Sequence, residues 1–145
     1  MNQAKDLSKE PPRSPRVRVG GYALLARMTD KGRAVIAGSN GAYHFACPLD
    51  QMLFGFKGVT DAEVRPLLER GASDEEIAHW FDTNGTSKTP DEVKAWSDQL
   101  ETVRPYDNPE KREWFIEACA EAGVDPAKST LFEYLEADDR VSFGK

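Results

Sequence analysis

Four charged side chains inside one short apolar stretch are the first residues whose types and spacing could do chemistry. Residues 26–34 read ARMTDKGRA and contain Arg27, Asp30, Lys31 and Arg33. On a helix, Arg27 and Lys31 lie one turn apart on one flank of the apolar stripe, and Asp30 is within reach of Arg27. Because guanidinium and ammonium groups bind carboxylates and phosphates, this row predicts a site for a small anion. The alternative is a solvated helix with a single Arg27–Asp30 pair, worth well under about 1 kcal/mol.

A second group of reactive side chains follows within eight residues. The segment YHFACPLD places Tyr43, His44, Cys47 and Asp50 close together. Phenol, imidazole, thiol and carboxylate groups are the usual acids, bases and nucleophiles of enzymes. With Asp30, the residues Tyr43, His44 and Cys47 are therefore the catalytic candidates. The alternative is that the histidine lies on the surface and that the cysteine before Pro48 is simply buried.

The charge is distributed unevenly along the chain. Residues 1–50 hold eight Lys and Arg against four Asp and Glu, a net of +4, whereas residues 51–145 have a net of −10. The proline-rich residues 1–19 predict an extended basic arm, whose Arg16 and Arg18 could join the anion site. Alternatively, the arm lies on an acidic surface of its own chain or of a second chain. The acidic remainder argues against a nucleic-acid partner.

The elements that position these residues are expected to be helices. Residues 22–37 show helical periodicity, with Gly32 on the apolar stripe, where it predicts close contact with another helix or with another chain. Four capping boxes mark later helix starts, at Thr60, Ser73, Thr89 and Thr130. Pro48 and Asn108–Pro109 predict two further starts, and residues 43–47 alternate as a short extended stretch would.

This pattern predicts an all-α single domain. We expect an orthogonal array of five to seven short helices over residues 20–138, with the extended arm before it and a loose tail over residues 139–145. No apolar run approaches the roughly 20 residues of a membrane span. The segment MNQAKDLSKEPPRSPR contains no apolar stretch, so we do not expect it to be a secretory signal. Two cysteines are too few for a disulfide framework, which favours the cytoplasm.

Motifs for metals, nucleotides and common hydrolases are absent from the sequence. There are only two histidines, no C-x-x-C or H-E-x-x-H motif, and no glycine-rich phosphate loop. We therefore predict neither a metal site nor a cofactor.

Several blocks of the sequence resemble a family of small bacterial proteins known only as a domain of unknown function. The resemblance rests mainly on the segment DLSKEPPRSPRVRVGGYALLARMTDKGRAVIAG, with support from YHFACPLD, SDEEIAHWF and the Trp96 helix. It covers roughly residues 6–137. Membership would imply a small helical cytosolic protein, and the family offers no reaction or catalytic residue to transfer.

Two functions from different classes follow from these observations. In the first, Arg27 and Lys31 bind a small anionic metabolite, with Tyr43 and His44 facing it from the 43–50 loop. Arg16, Arg18 and Arg33 would border this site. In the second, the protein is an interaction module or homodimer without catalytic activity, and its basic arm binds an acidic face. The sequence does not decide whether the protein is an enzyme.

Overall fold

The helices follow one another closely along the chain. The computed structural model describes residues 4–144, and within this range it contains seven α-helices and no strand. They span Leu25–Ala37 (α1), Pro48–Lys57 (α2), Asp61–Glu69 (α3), Asp74–Thr83 (α4), Pro90–Leu100 (α5), Arg112–Ala122 (α6) and Leu131–Phe143 (α7), with a 3₁₀ turn at Pro105–Asp107. The predicted all-α class and single domain are confirmed.

Local sequence signals start five of these helices. Thr60, Ser73, Thr89 and Thr130 each accept a hydrogen bond from the backbone N–H three residues on, and the glutamate there accepts one from the backbone N–H of the cap. Each cap satisfies helix N–H groups that would otherwise lack partners, which is worth about 1 kcal/mol. Pro48 begins α2 as predicted, since its ring fixes a helical φ and its missing N–H is not needed there.

Helix α1 lies at the centre of the fold, in contact with α2, α3 and α4. Every residue from Leu25 to Gly32 is buried. A Cβ placed on Gly32 would overlap the side chain of Leu68 on α3 and crowd the ring of Phe45. The predicted close approach at Gly32 is thus confirmed, and this glycine lets α1 and α3 pack closely together.

The apolar core surrounds α1 in two clusters. The larger cluster joins α1 to α2, α3 and α4 through residues that include Tyr22, Phe54 and Phe81. The smaller cluster joins Leu24 to Leu100 on α5 and Phe132 on α7. Since both clusters meet at the start of α1, its polar side chains are enclosed together with its apolar ones.

Three expected boundaries differ from the structure. Helix α1 begins at Leu25 rather than at residue 22, because Leu24 has a left-handed backbone (φ 71°). Residues 43–47 form turns instead of an extended stretch, since Ala46 is also left-handed (φ 61°). Helix α6 begins at Arg112 rather than at Pro109, because Asn108 accepts from the N–H of Glu110 and holds a turn there.

The expected loose tail is also wrong over the residues described. Helix α7 continues to Phe143, and Asp139 is buried within it. The helix continues because Ala137 and Asp139 face the interior, where they are enclosed. Residue 145 of that tail and residues 1–3 of the arm lie outside the described range.

Residues 4–19 of the arm pack against the helices at several points. Between residue 4 and α1 the chain forms turns and irregular segments, and Leu7, Pro12 and Pro15 are buried. The backbone N–H of Leu7 donates to the carbonyl of Ser39 just after α1. None of the helices in residues 4–144 combines the length and the apolar character that crossing a membrane requires.

Candidate functional site

The charged row of α1 lies inside the protein. Arg27, Asp30 and Lys31 are only 4%, 4% and 3% exposed. The sequence predicted cations that border an apolar stripe, but α1 is enclosed by other helices and by the arm. A buried charge is stable only when an opposite charge or several hydrogen bonds compensate its lost hydration. The partners of each side chain therefore decide what this row can do.

Arg27 forms a two-pronged ion pair with Asp139 of α7. Its two terminal nitrogens lie 2.8 and 3.1 Å from the two carboxylate oxygens of Asp139. The Tyr43 hydroxyl donates to the same carboxylate at 2.7 Å, and the guanidinium lies over the Tyr43 ring. Burial, with a further effect of Asp139, raises the pKa of Tyr43. Tyr43 is therefore a neutral hydrogen-bond donor here rather than a base.

Lys31 forms the second buried cluster with the 43–50 loop. Its ammonium nitrogen lies 3.0 Å from Oδ1 of Asp50 and 3.0 Å from Sγ of Cys47. Asp50 also accepts from the backbone N–H of Ala46, and this bond holds the left-handed turn before α2. Burial raises the pKa of Asp50, and the neighbouring Lys31 opposes that effect.

Asp30 binds the arm rather than Arg27. Its carboxylate accepts from the backbone N–H of Arg13 at 2.8 Å and from the Arg13 side chain at 3.1 Å. Arg13 also reaches Asp74 at the start of α4, at 2.8 Å, and Arg33 pairs with the same Asp74 at 3.2 Å. The expected Arg27–Asp30 pair is therefore not formed, because each residue has a closer partner of its own.

The two arm arginines predicted to bind an anion are paired within the chain. Arg16 lies 3.0 Å from Glu136 on α7. Arg18 lies 2.7 Å from Asp98 on α5 and 2.9 Å from Glu101 just beyond it. The basic arm thus lies on the acidic surface of its own chain, which was one of the two arrangements considered from the sequence.

His44 is the one catalytic candidate that takes no part in these clusters. It is exposed, and among residues 4–144 no hydrogen bond or ion pair involves its ring. The structure therefore brings together Arg27 with Tyr43, and Lys31 with Cys47, but leaves His44 apart. Nor does the described part of the chain gather three or more His, Cys, Asp or Glu side chains where they could hold a metal ion.

Sequence reasoning missed two of the carboxylates that complete these clusters, Asp74 and Asp139, and also the hub arginine Arg13. Asp74 and Asp139 lie far from their partners along the chain, and no local motif marks them. Four cations and four carboxylates make up the two clusters and the arm contacts of α1, so their formal charge sums to zero: Arg13, Arg27, Lys31, Arg33, Asp30, Asp50, Asp74 and Asp139.

A groove opens beside the Arg27 cluster, between the arm and α7. It encloses about 380 Å³ and is lined by Pro11, Pro12, Ser14, Glu136, Asp139, Arg140 and Phe143. The ring of Phe143 stacks on Tyr43, with centroids 6.4 Å apart. Arg140 is exposed and forms no ion pair with any residue in the described range. It is an exposed cation at this edge of the Arg27–Asp139 cluster.

A second groove of about 460 Å³ lies between the end of the arm and α4. Its lining includes Asp74, Glu75, His79 and Asp82, with Arg18 at one edge. The Tyr22 hydroxyl donates to Asp82 at 2.9 Å. Since three of its lining side chains are carboxylates and its one arginine is already paired with Asp98 and Glu101, this groove does not suit the anion predicted from the sequence.

These features define a small all-helical domain whose central helix carries an internally neutralised row of charges. The family model described as "Domain of unknown function (DUF5069)" matches residues 9–141, so the chain belongs to that family. The resemblance drawn from the sequence blocks is thereby confirmed at the level of an uncharacterised domain family. A search of curated proteins finds no match to this chain.

Proposed function

We propose that this protein binds a small anionic molecule in the groove between the arm and α7. The observation that carries the proposal is the exposed Arg140, which pairs with no carboxylate within residues 4–144 and lines the same groove as Asp139. The guanidinium of Arg140 can form two parallel hydrogen bonds with a carboxylate or a phosphate. Arg27 and Lys31, the anion ligands expected from the sequence, are already neutralised by Asp139 and Asp50. Of these two carboxylates only Asp139 lines the groove, so Arg27 would act through Asp139 and Lys31 would have no part in this site.

The lining of the groove indicates further features of the ligand. Asp139 and Glu136 supply carboxylate oxygens, and both already accept hydrogen bonds from side chains behind them. Pro11 and the Phe143 ring supply apolar walls. A ligand that suits this lining carries one anionic group for Arg140 and a hydroxyl or amine that donates to Asp139. Pockets with apolar walls and a few converging polar groups are typical of small-molecule sites.

Native mass spectrometry of gently purified protein is the first test. We expect a small adduct, and titration with citrate and with inorganic phosphate should shift the amide NMR signals of residues 13–14 and 136–143. Arg140→Gln should weaken citrate binding about tenfold or more, as expected for the loss of a charged hydrogen bond. Arg70→Gln, which removes an exposed arginine at the end of α3, is the matched control and should bind as the wild type does.

The same spectrum tests the alternative function, an interaction module. That function requires arm arginines that are free to bind a second chain, whereas Arg13, Arg16 and Arg18 all hold carboxylates of their own chain. A dimer without an adduct, which dissociates when residues 1–18 are deleted, would favour the module. A protein with no adduct, whose groove signals do not move at millimolar citrate or phosphate, would contradict anion binding.

A further inference from the structure

A lysine amine and a cysteine thiol are held side by side where α1 meets the start of α2. Nζ of Lys31 donates to Sγ of Cys47 across 3.0 Å. The lysine side chain is only 4% exposed, so it has little freedom to leave this position. Cys47, in contrast, is partly exposed. A small oxidant can therefore reach the sulfur while the amine stays beside it.

We propose that Lys31 and Cys47 form a modification site in which a peroxide joins them by a covalent sulfur–nitrogen bond. Peroxide first oxidises the thiol to a sulfenic acid and releases one water. The neutral amine of Lys31 then attacks the sulfenyl sulfur, the S–OH bond breaks, and the departing hydroxide leaves as a second water with a proton from nitrogen. Thiol, amine and peroxide thus yield one sulfenamide and two waters, and the peroxide is the two-electron oxidant.

Asp50 supplies the proton acceptor that the second step requires. The attacking nitrogen must be an amine, so the ammonium of Lys31 first loses a proton. Oδ1 of Asp50 lies 3.0 Å from that nitrogen and is itself almost fully buried. Burial raises the pKa of Asp50, so this carboxylate takes up a proton more readily than an exposed one. Arg27 is a second cation whose field reaches Asp50.

The second cysteine of the chain provides a contrast. Cys119 is buried in α6, and among the described residues no amine lies within hydrogen-bonding distance of its sulfur. Burial also raises the pKa of Cys119, and a protonated thiol reacts slowly with peroxide. Cys119 should therefore neither form such a link nor compete for the oxidant.

The test is intact-mass and peptide mass spectrometry of the Cys119→Ala variant after hydrogen peroxide treatment. With one thiol left, an intramolecular disulfide cannot form, so a loss of about 2 Da from the monomer reports the sulfenamide. Trypsin should release residues 28–33 joined to residues 34–57, because Lys31 is no longer cleaved when modified. Dithiothreitol should restore the original mass, since thiols reduce sulfur–nitrogen bonds.

Cys47→Ser in the same background should abolish the mass loss. Lys31→Arg keeps the cation but removes the nucleophilic amine. In this variant Cys47 should therefore gain about 16 or 32 Da as a sulfenic or sulfinic acid. Those same gains in the Cys119→Ala protein, without the joined peptides, would overturn the proposal, because the sulfenic acid would then form and not be captured. Joined peptides about 14 Da heavier than the two unmodified peptides together would have an oxygen between nitrogen and sulfur, and they would contradict a direct bond.

Discussion

Removing either member of the Arg27–Asp139 pair should destabilise the protein far more than removing both. The Arg27 and Asp139 side chains are 5% and 9% exposed, and two hydrogen bonds join them. Arg27→Met would leave the Asp139 carboxylate buried with only the Tyr43 hydroxyl as a side-chain donor. Asp139→Leu would leave a buried guanidinium with no carboxylate.

The expected size follows from the cost of an unpaired buried charge. Breaking a buried ion pair from one side typically costs about 3–5 kcal/mol, whereas replacing both partners by apolar residues is often neutral or stabilising. We therefore expect each single variant to lose about 3–5 kcal/mol of unfolding free energy and the double variant to lose less than either. With a total of about 5–15 kcal/mol for a domain, either loss is large.

Urea unfolding of the wild type, the two single variants and the double variant measures this coupling directly. A loss of about 4 kcal/mol lowers the midpoint by roughly 2 M for a typical urea dependence. The exposed pair Arg65–Glu69, one turn apart on α3 at 3.4 Å, is the matched control and should give a coupling of about 0.5 kcal/mol or less. Single losses that simply add in the Arg27→Met/Asp139→Leu protein would refute the reasoning.

Three further predictions address packing and titration. Gly32→Ala should lower the free energy of unfolding in urea by about 1–3 kcal/mol, because its Cβ would overlap Leu68. Gly55→Ala has open space around it and should raise that free energy by up to about 1 kcal/mol. Equal effects of the two substitutions would contradict the close approach at Gly32. Arg13 holds the pKa of Asp74 below its ordinary value of 3.8. The stability that the ionised Asp74 contributes is therefore lost as the pH falls below 3.8. The stability of Asp74→Asn should accordingly depend less steeply on pH in this acid range than that of the wild type. Lys57 is fully buried, and burial lowers its pKa. The unfolded chain therefore binds more protons at this site than the folded one, so the wild-type free energy of unfolding in urea should rise as the pH approaches 10.5. Lys57→Met should lose that rise.

The helices whose starts depend on neighbouring residues were predictable from sequence. At Thr60 and Ser73, for example, cap and glutamate are three residues apart, so the sequence itself contains the whole interaction. The start of α6 was not predicted, because Asn108–Pro109 suits both a helix start and the turn that is formed. The end of α7 was missed since burial of Asp139 depends on α1, which no property of the last residues indicates.

The charged clusters were predictable in part, but the groove proposed to bind the anion was not, because its lining comes from the arm and α7 rather than from α1 and the 43–50 loop. The spacing of charged residues predicted a cluster of Arg27 and Lys31 with the 43–50 loop. In the structure both cations contact that loop, Arg27 at Tyr43 and Lys31 at Asp50. The partner of Arg27 was not predictable, because Arg27 and Asp139 are 112 positions apart. Asp50, the partner of Lys31, lies within the loop that the sequence indicated. Charge periodicity shows which face of a helix is polar, and it does not show whether water or another helix covers that face.

The pairing of buried charges also constrains how this family can diverge. A single apolar substitution at position 27 or at position 139 leaves an unpaired charge in the interior. Apolar substitutions at both positions together do not. The two positions should therefore change together among homologues, and so should Lys31 with Asp50. Exposed cations such as Arg140 are under no such constraint from folding. Where Arg140 is retained while its exposed neighbours vary, selection must act on something other than the stability of the domain.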